Sequence, residues 1–122
     1  MANVKRIDDL IAWQRAMSLC KDAHTVSSRL PDAERFGLRS QIRRSAASIP
    51  CNIAEGFGRE STSDPVRFLR GARGSLFGIR TRFQIAVELG MLPEDEVPTD
   101  PLDETDRVLH GLIRSLKDRI PP

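Results

Sequence analysis

The stretch Ser40-Gln41-Ile42-Arg43-Arg44-Ser45-Ala46-Ala47-Ser48-Ile49-Pro50-Cys51-Asn52-Ile53-Ala54-Glu55-Gly56-Phe57-Gly58-Arg59 decides how this chain folds. With Leu38 before them, Ile42, Ala46, Ile49 and Ile53 recur at steps of three and four, which places them on one side of an α-helix. Arg39, Arg43 and Arg44 fall elsewhere on its surface, so the pattern reads as a helix with a dry stripe and a basic flank. Pro50 has no N–H to give the carbonyl of Ala46, and a helix running through it is expected to kink. Ser48, Asn52 and Glu55 surround the break with side chains able to satisfy freed backbone groups. Gly56 and Gly58 are expected to end the element.

Three more helices follow from the same reasoning. The first is expected to start near Asp8 or Asp9, whose carboxylates suit an N-cap, and to end by Leu30-Pro31. Its predicted inward stripe is Leu10, Trp13, Met17, Cys20, His24 and Ser27, widened by Ile11, Ala16 and Ala23. Trp13 at this spacing reads as core or subunit packing rather than as a ligand-stacking ring. Ser63 or Asp64 caps a third helix with Pro65 in its first turn. There Leu69, Ala72, Leu76, Ile79, Phe83 and Ala86 form the cleanest stripe in the chain. Gly71, Gly74 and Gly78 interrupt that helix at a cost of about 0.5–1 kcal/mol each, which predicts close approach of another helix, from the same chain or from a neighbouring subunit. Leu89-Gly90-Met91 reads as a glycine cap. An acidic, proline-broken link, residues 94–101, then leads to a fourth helix with Leu102, Leu109, Leu112, Ile113, Leu116 and Ile120 facing inward.

The expected fold is therefore all-α: a single domain over residues 1–122, an antiparallel up-down-up-down four-helix bundle. A hydrophobic content of 39% and a charged content of 30% are a globular balance, and no apolar run is long enough to span a bilayer. With no secretory leader at Met1-Ala2-Asn3-Val4-Lys5-Arg6, the expected location is cytoplasmic, where Cys20 and Cys51 are read as reduced core thiols.

The net charge of +2 hides an asymmetry. Ten arginines and no lysine lie between Arg35 and Arg82 against Glu55, Glu60 and Asp64, so this middle segment carries +7 and the remainder −5. Arginine favours planar, bidentate contacts with carboxylates or phosphates. Arg39, Arg43, Arg44, Arg70, Arg73 and Arg80 are accordingly the expected nucleic-acid surface, one that attracts a phosphate backbone without reading sequence. Phe57 and Phe77 could add stacking, but an aromatic content of only 5% argues against a dedicated platform. The competing reading spends the arginines on salt bridges between subunits.

Catalytic constellations are missing from the pattern. His24 and His110 have no metal-ligand partner at helical spacing and read as a core-edge and a surface histidine. No Glu-x-x-His pair of the di-iron bundle type occurs. Glu55 reads as a structural ion pair with Arg43, Arg44, Arg59 or Arg73 rather than as a catalytic acid. The expectation is a non-enzyme without metal or cofactor.

Residues 41–46, 48–50 and 52–59 also resemble the signature of the bacterial 23S rRNA intervening-sequence protein family. Further similarity lies at Asp9-Leu10, Trp13-Gln14, Phe36-Gly37-Leu38, Phe68-Leu69, Ala72-Arg73-Gly74-Ser75-Leu76, Glu88-Leu89-Gly90 and Leu109 to Leu116. The resemblance implies a four-helix bundle that assembles as a homo-oligomer, a pentamer. By analogy with the accessory proteins of diversity-generating retroelements, it also implies RNA or DNA and a protein such as a reverse transcriptase as partners. Trp13, Pro50, Asn52, Glu55, Arg59 and Gly74 are the positions expected to serve structure and assembly. Gly78 and Arg82 depart from the family pattern, which usually has an acidic residue and a glutamine there.

Overall fold

A computed structural model describes residues 6–58 and 64–118. Among the described residues there are four α-helices and no strand: α1 Ile11–Ser27, α2 Leu38–Gly58, α3 Pro65–Glu88 and α4 Thr99–Lys117. Short 3-10 turns at Ile7–Asp9, Asp32–Glu34 and Glu94–Glu96 connect or precede them. Each helix packs on two others, α2 on α1 and α3, and α4 on α1 and α3, with the α2–α3 contact the most extensive.

The apolar stripes of α2 and α3 pack as their spacing predicts. Ile42, Ile49, Ile53, Leu69, Ala72, Leu76, Ile79, Phe83 and Ala86 are fully buried, and Ala46 nearly so. Burial of each larger aliphatic or aromatic side chain among them contributes about 1.5–3 kcal/mol. Asp64 caps α3, its carboxylate accepting from the Arg67 N–H at 3.2 Å, and Pro65 occupies the first position. At the other end Gly90 takes φ +72°, and the Met91 N–H reaches back to the Ala86 carbonyl at 2.8 Å. Only a residue without Cβ adopts that turn without strain.

Pro50 lies buried inside α2, a helix of 21 residues. Beside it the Asn52 amide donates to the Ser48 carbonyl at 2.9 Å and to the Ser48 hydroxyl at 3.0 Å, and Ser48 and Ser75 hydroxyls meet at 2.8 Å across the α2–α3 seam. A Cβ on Gly71 would stand 3.0 Å from the Asn52 side-chain oxygen, so here the absent side chain does admit the neighbouring helix. At Gly74 no helix of the same chain comes close: a Cβ there would meet nothing within 4 Å. Gly78 yields its space to Arg82, on its own helix, whose guanidinium would lie 2.8 Å from a Cβ. That guanidinium donates to the Ser45 hydroxyl at 2.8 Å. The two departures from the family pattern are thus one arrangement, a missing side chain making room for a long one.

In α1 the predicted stripe is rotated from the true one. The buried residues are Ala12, Ala16, Leu19, Ala23, Val26 and Ser27, whereas Ile11 and Met17 are 56% and 44% exposed and His24 is exposed. Trp13 and Cys20 are half-buried and pack at the edge of the core. The alanines carry the true stripe because small side chains let α1 sit close to α2 and α4, while the large residues border it. Two boundaries also move. Asp9 lies in the 3-10 turn and Leu10 precedes α1 without a side-chain cap, and α4 begins at Thr99, before Pro101.

In α4, Leu102, Thr105, Leu109 and Ile113 are buried and Leu112 and Leu116 are half-buried. Thr105, 1% exposed, donates to the Pro101 carbonyl at 2.8 Å and lies 3.4 Å from the Arg15 carbonyl, which satisfies its hydroxyl in the core. Arg59, Ser63 and Ile120 lie outside the described residues.

The rotated α1 stripe has a direct check in equilibrium denaturation. Leu19→Ala is expected to cost about 2–5 kcal/mol and Met17→Ala less than about 0.5 kcal/mol. Equal losses would restore the stripe read from the sequence.

Candidate functional site

The six arginines expected to form one basic surface separate into three groups. Arg39 and Arg43 close the end of α1. As the second and sixth residues of α2 they lie one turn apart on the helix and both reach the carbonyls and hydroxyls at the end of α1. Arg39 Nε donates to the Ser27 carbonyl at 3.2 Å and its Nη2 to the Leu30 carbonyl, with Asp32 at 3.6 Å as an ion partner. Arg43 donates to the Ser27 and Ser28 hydroxyls, both at 2.9 Å, and more weakly to the His24 carbonyl at 3.4 Å. These two cations are consumed inside the protein.

Arg73 and Arg80 tie α3 to α4. Arg73 Nε bonds Asp106 at 2.7 Å with both groups about two-thirds or more covered, and its guanidinium lies over the Phe77 ring at 5.1 Å. Arg80 pairs with Asp103 at 3.0 Å. The positive middle of the chain is thus partly neutralised by the acidic start of α4. The α1–α4 seam does the same with Arg15 and Glu104 at 3.5 Å, and Arg29 and Glu96 meet at 3.5 Å. Arg107 binds both Glu104 oxygens at 2.8 Å; those bonds first, and Arg15 after them, hold the Glu104 carboxyl below the usual carboxylate range.

Arg44 and Arg70 stay exposed and make no hydrogen bond or ion pair to any described residue. Arg70 does not stand alone. It lines a hollow of about 400 Å³ between α3 and α4 with Arg73, Gly74 and Phe77 on one side and His110, Ile113, Arg114 and Lys117 on the other. Arg114 and Lys117 are exposed, unpaired among the described residues, and lie in the last turn of α4, where cations also offset the helix dipole. Three uncommitted cations therefore converge on one cleft. Sequence reasoning missed its α4 half because Arg114 and Lys117 sit outside the arginine-rich segment, among residues whose sum is −5. Their i, i+3 and i, i+4 spacing with His110 and Ile113 is the signal that could have found them.

The remaining expected positions separate similarly. Trp13, Pro50 and Asn52 serve packing, as described above. Glu55 is exposed on α2 rather than enclosed in it. His24 belongs to the α1 end that Arg43 grips, while Glu55 lies more than three helical turns beyond Arg43. Cys51 is exposed, a correction to its reading as a core thiol. Cys20 is half-buried, and burial first, with Cys51 second, pushes its thiol pKa up. Among the described residues no group of three or more His, Cys, Asp or Glu could hold a metal ion, and no helix is long and apolar enough to cross a membrane.

This four-helix arrangement agrees with the family relationship. The family model for 23S rRNA-intervening sequence protein matches residues 8–111, and the chain belongs to that family. No curated protein matches it.

The separation of the arginines predicts two kinds of variant. Arg39→Gln and Arg43→Gln are each expected to lose about 1–3 kcal/mol in chemical denaturation, because buried carbonyls and hydroxyls lose charged donors. Arg44→Gln and Arg70→Gln should stay within about 0.5 kcal/mol of the parent. A reversed order would mean that Arg39 and Arg43 do not hold the end of α1.

Proposed function

We propose that the protein is a non-enzymatic, cytoplasmic accessory or scaffold protein that binds RNA or DNA through its phosphates. The observation that carries this reading is the cleft where Arg70, Arg114 and Lys117 converge without acidic partners among the described residues. Cations left unpaired beside an open hollow raise the local concentration of polyanions and release counterions when phosphates replace them. Arg44 adds to the same field from α2. Arg73 and Arg80 now act as positioning residues for α4, and Arg39 and Arg43 as supports for α1.

The reading includes one domain with an antiparallel up-down-up-down course and a bend in α2 at Pro50. Contact partners support the course: from Ser45–Arg82 through Ser48–Ser75 to Asn52–Gly71, numbers rise along α2 as they fall along α3. Arg80–Asp103 and Arg73–Asp106 run in opposite senses along α3 and α4 in the same way. The bundle assembles as a homo-oligomer, a pentamer by family resemblance, and a reverse transcriptase is the kind of protein partner that resemblance suggests.

A second reading, an oligomer that binds only protein, draws on a different observation. Phe77, Ile85 and Leu89 project from α3 at four-residue steps with Thr81 between them, 47%, 42% and 63% exposed respectively. Such a stripe can seat a neighbouring helix.

Titration with mixed-sequence RNA and DNA across a salt series separates the readings. Binding that weakens steeply with salt is expected, and Arg114→Gln with Lys117→Gln should lower the slope of log affinity against log salt by about 1 per cation removed without changing the oligomeric mass. No binding at low salt by an intact oligomer would leave the protein-only reading.

A further inference from the structure

Phe77 is where the two remaining features of α3 meet. Its ring walls the cationic α3–α4 hollow and also a second hollow of about 440 Å³ that contains Gly78, Thr81, Arg82 and Ile85. Both volumes fall in the range of small-molecule sites. On the same helix Gly74, one turn before Phe77, carries no side chain, and a Cβ there would meet no atom of a neighbouring helix within 4 Å. Arg73, held by Asp106 at 2.7 Å, lies over the ring at 5.1 Å. The ring is thus fixed by a guanidinium while 47% of the residue remains open to water.

The two hollows differ in charge that is free to act. In the second, the Arg82 guanidinium is committed to Ser45 at 2.8 Å. In the first, Arg70, Arg114 and Lys117 have no partner among the described residues, and His110 lines the same wall. An exposed aromatic ring beside unpaired cations matches the two chemistries of an unpaired nucleotide, a flat base and a phosphate. A duplex presents only the phosphates to such a surface, because its bases are already stacked within it.

Building on the nucleic-acid reading above, we propose that the α3–α4 cleft is a subsite for one unpaired nucleotide of a single strand, its phosphate on Arg70, Arg114 and Lys117 and its base stacked against Phe77. The protein then prefers single-stranded over double-stranded nucleic acid. The preference resides in Phe77, whereas the salt dependence resides in the cations.

The test uses a labelled oligouridylate of about ten nucleotides, within single-strand site sizes, and a duplex RNA of equal length, at fixed salt and in a salt series. The parent should bind the single strand more tightly than the duplex. Phe77→Ala and Phe77→Leu, the second of which keeps an apolar side chain on α3, should each weaken single-strand binding about 5–150-fold, the range of one lost base stack. Both should leave duplex binding and the salt slope unchanged. Single-strand affinity unaltered in both variants, or equal losses for strand and duplex, would overturn the stacking subsite while leaving the phosphate reading intact. Failure of the parent to bind either probe would overturn both.

Discussion

The dry seam between α2 and α3 is the constraint on which the other contacts depend. Ile42, Ala46, Ile49 and Ile53 on one helix and Leu69, Ala72, Leu76, Ile79 and Phe83 on the other are buried almost without remainder. Along the edge of this seam runs a polar row: Ser45 with Arg82, Ser48 with Ser75, and Asn52 against Gly71. Hydrophobic burial supplies the stabilisation, and it is indifferent to small sliding of one helix on another. The polar row is directional: a slip along the seam would separate the Ser45 and Ser48 hydroxyls from Arg82 and Ser75. The register of α3 is set in this way, and with it the side of α3 that faces outward.

Charge fixes the end of α1 and the seam between α3 and α4. Arg39 and Arg43 bind the last carbonyls and hydroxyls of α1, and Arg73 and Arg80 bind the acidic side chains of α4. An exposed ion pair contributes only about 0–1 kcal/mol, so Arg80 and Asp103 serve orientation more than stability. Arg73 with Asp106 is better covered and is coupled to Phe77 through the guanidinium above the ring. Among the cations left without a partner among the described residues, Arg70, Arg114 and Lys117 lie together in the hollow that Phe77 lines.

The fold was legible where a stripe is made of large aliphatic residues or bounded by strong punctuation. The α3 stripe, the Asp64-Pro65 start and the Gly90 stop all follow from local sequence. In α1 the large residues misled, because Trp13 and Met17 share a helical period with the alanines but border the core formed by Ala12, Ala16 and Ala23. The site was less legible for a different reason. Whether an arginine is free depends on which acids and carbonyls lie opposite, and that is decided by packing between helices. Arg39 and Arg70 look alike in sequence, yet one is spent on α1 and the other has no partner among the described residues. Arg114 and Lys117 belong to a segment of negative sum and become part of a basic cleft only when α4 lies beside α3.

In the function proposed above, the outward surface between α3 and α4, and not the arginine-rich flank of α2 against α1, receives nucleic acid. Backbone amide chemical shifts of the isotopically labelled protein, followed while a short single-stranded oligonucleotide is added, test it directly. Shifts are expected to concentrate at Arg70, Gly74, Phe77, Arg114 and Lys117 and to leave Ser27, Leu30, Arg39 and Arg43 in place. Shifts centred on the junction of α1 and α2, with the α3–α4 cleft unperturbed, would contradict it.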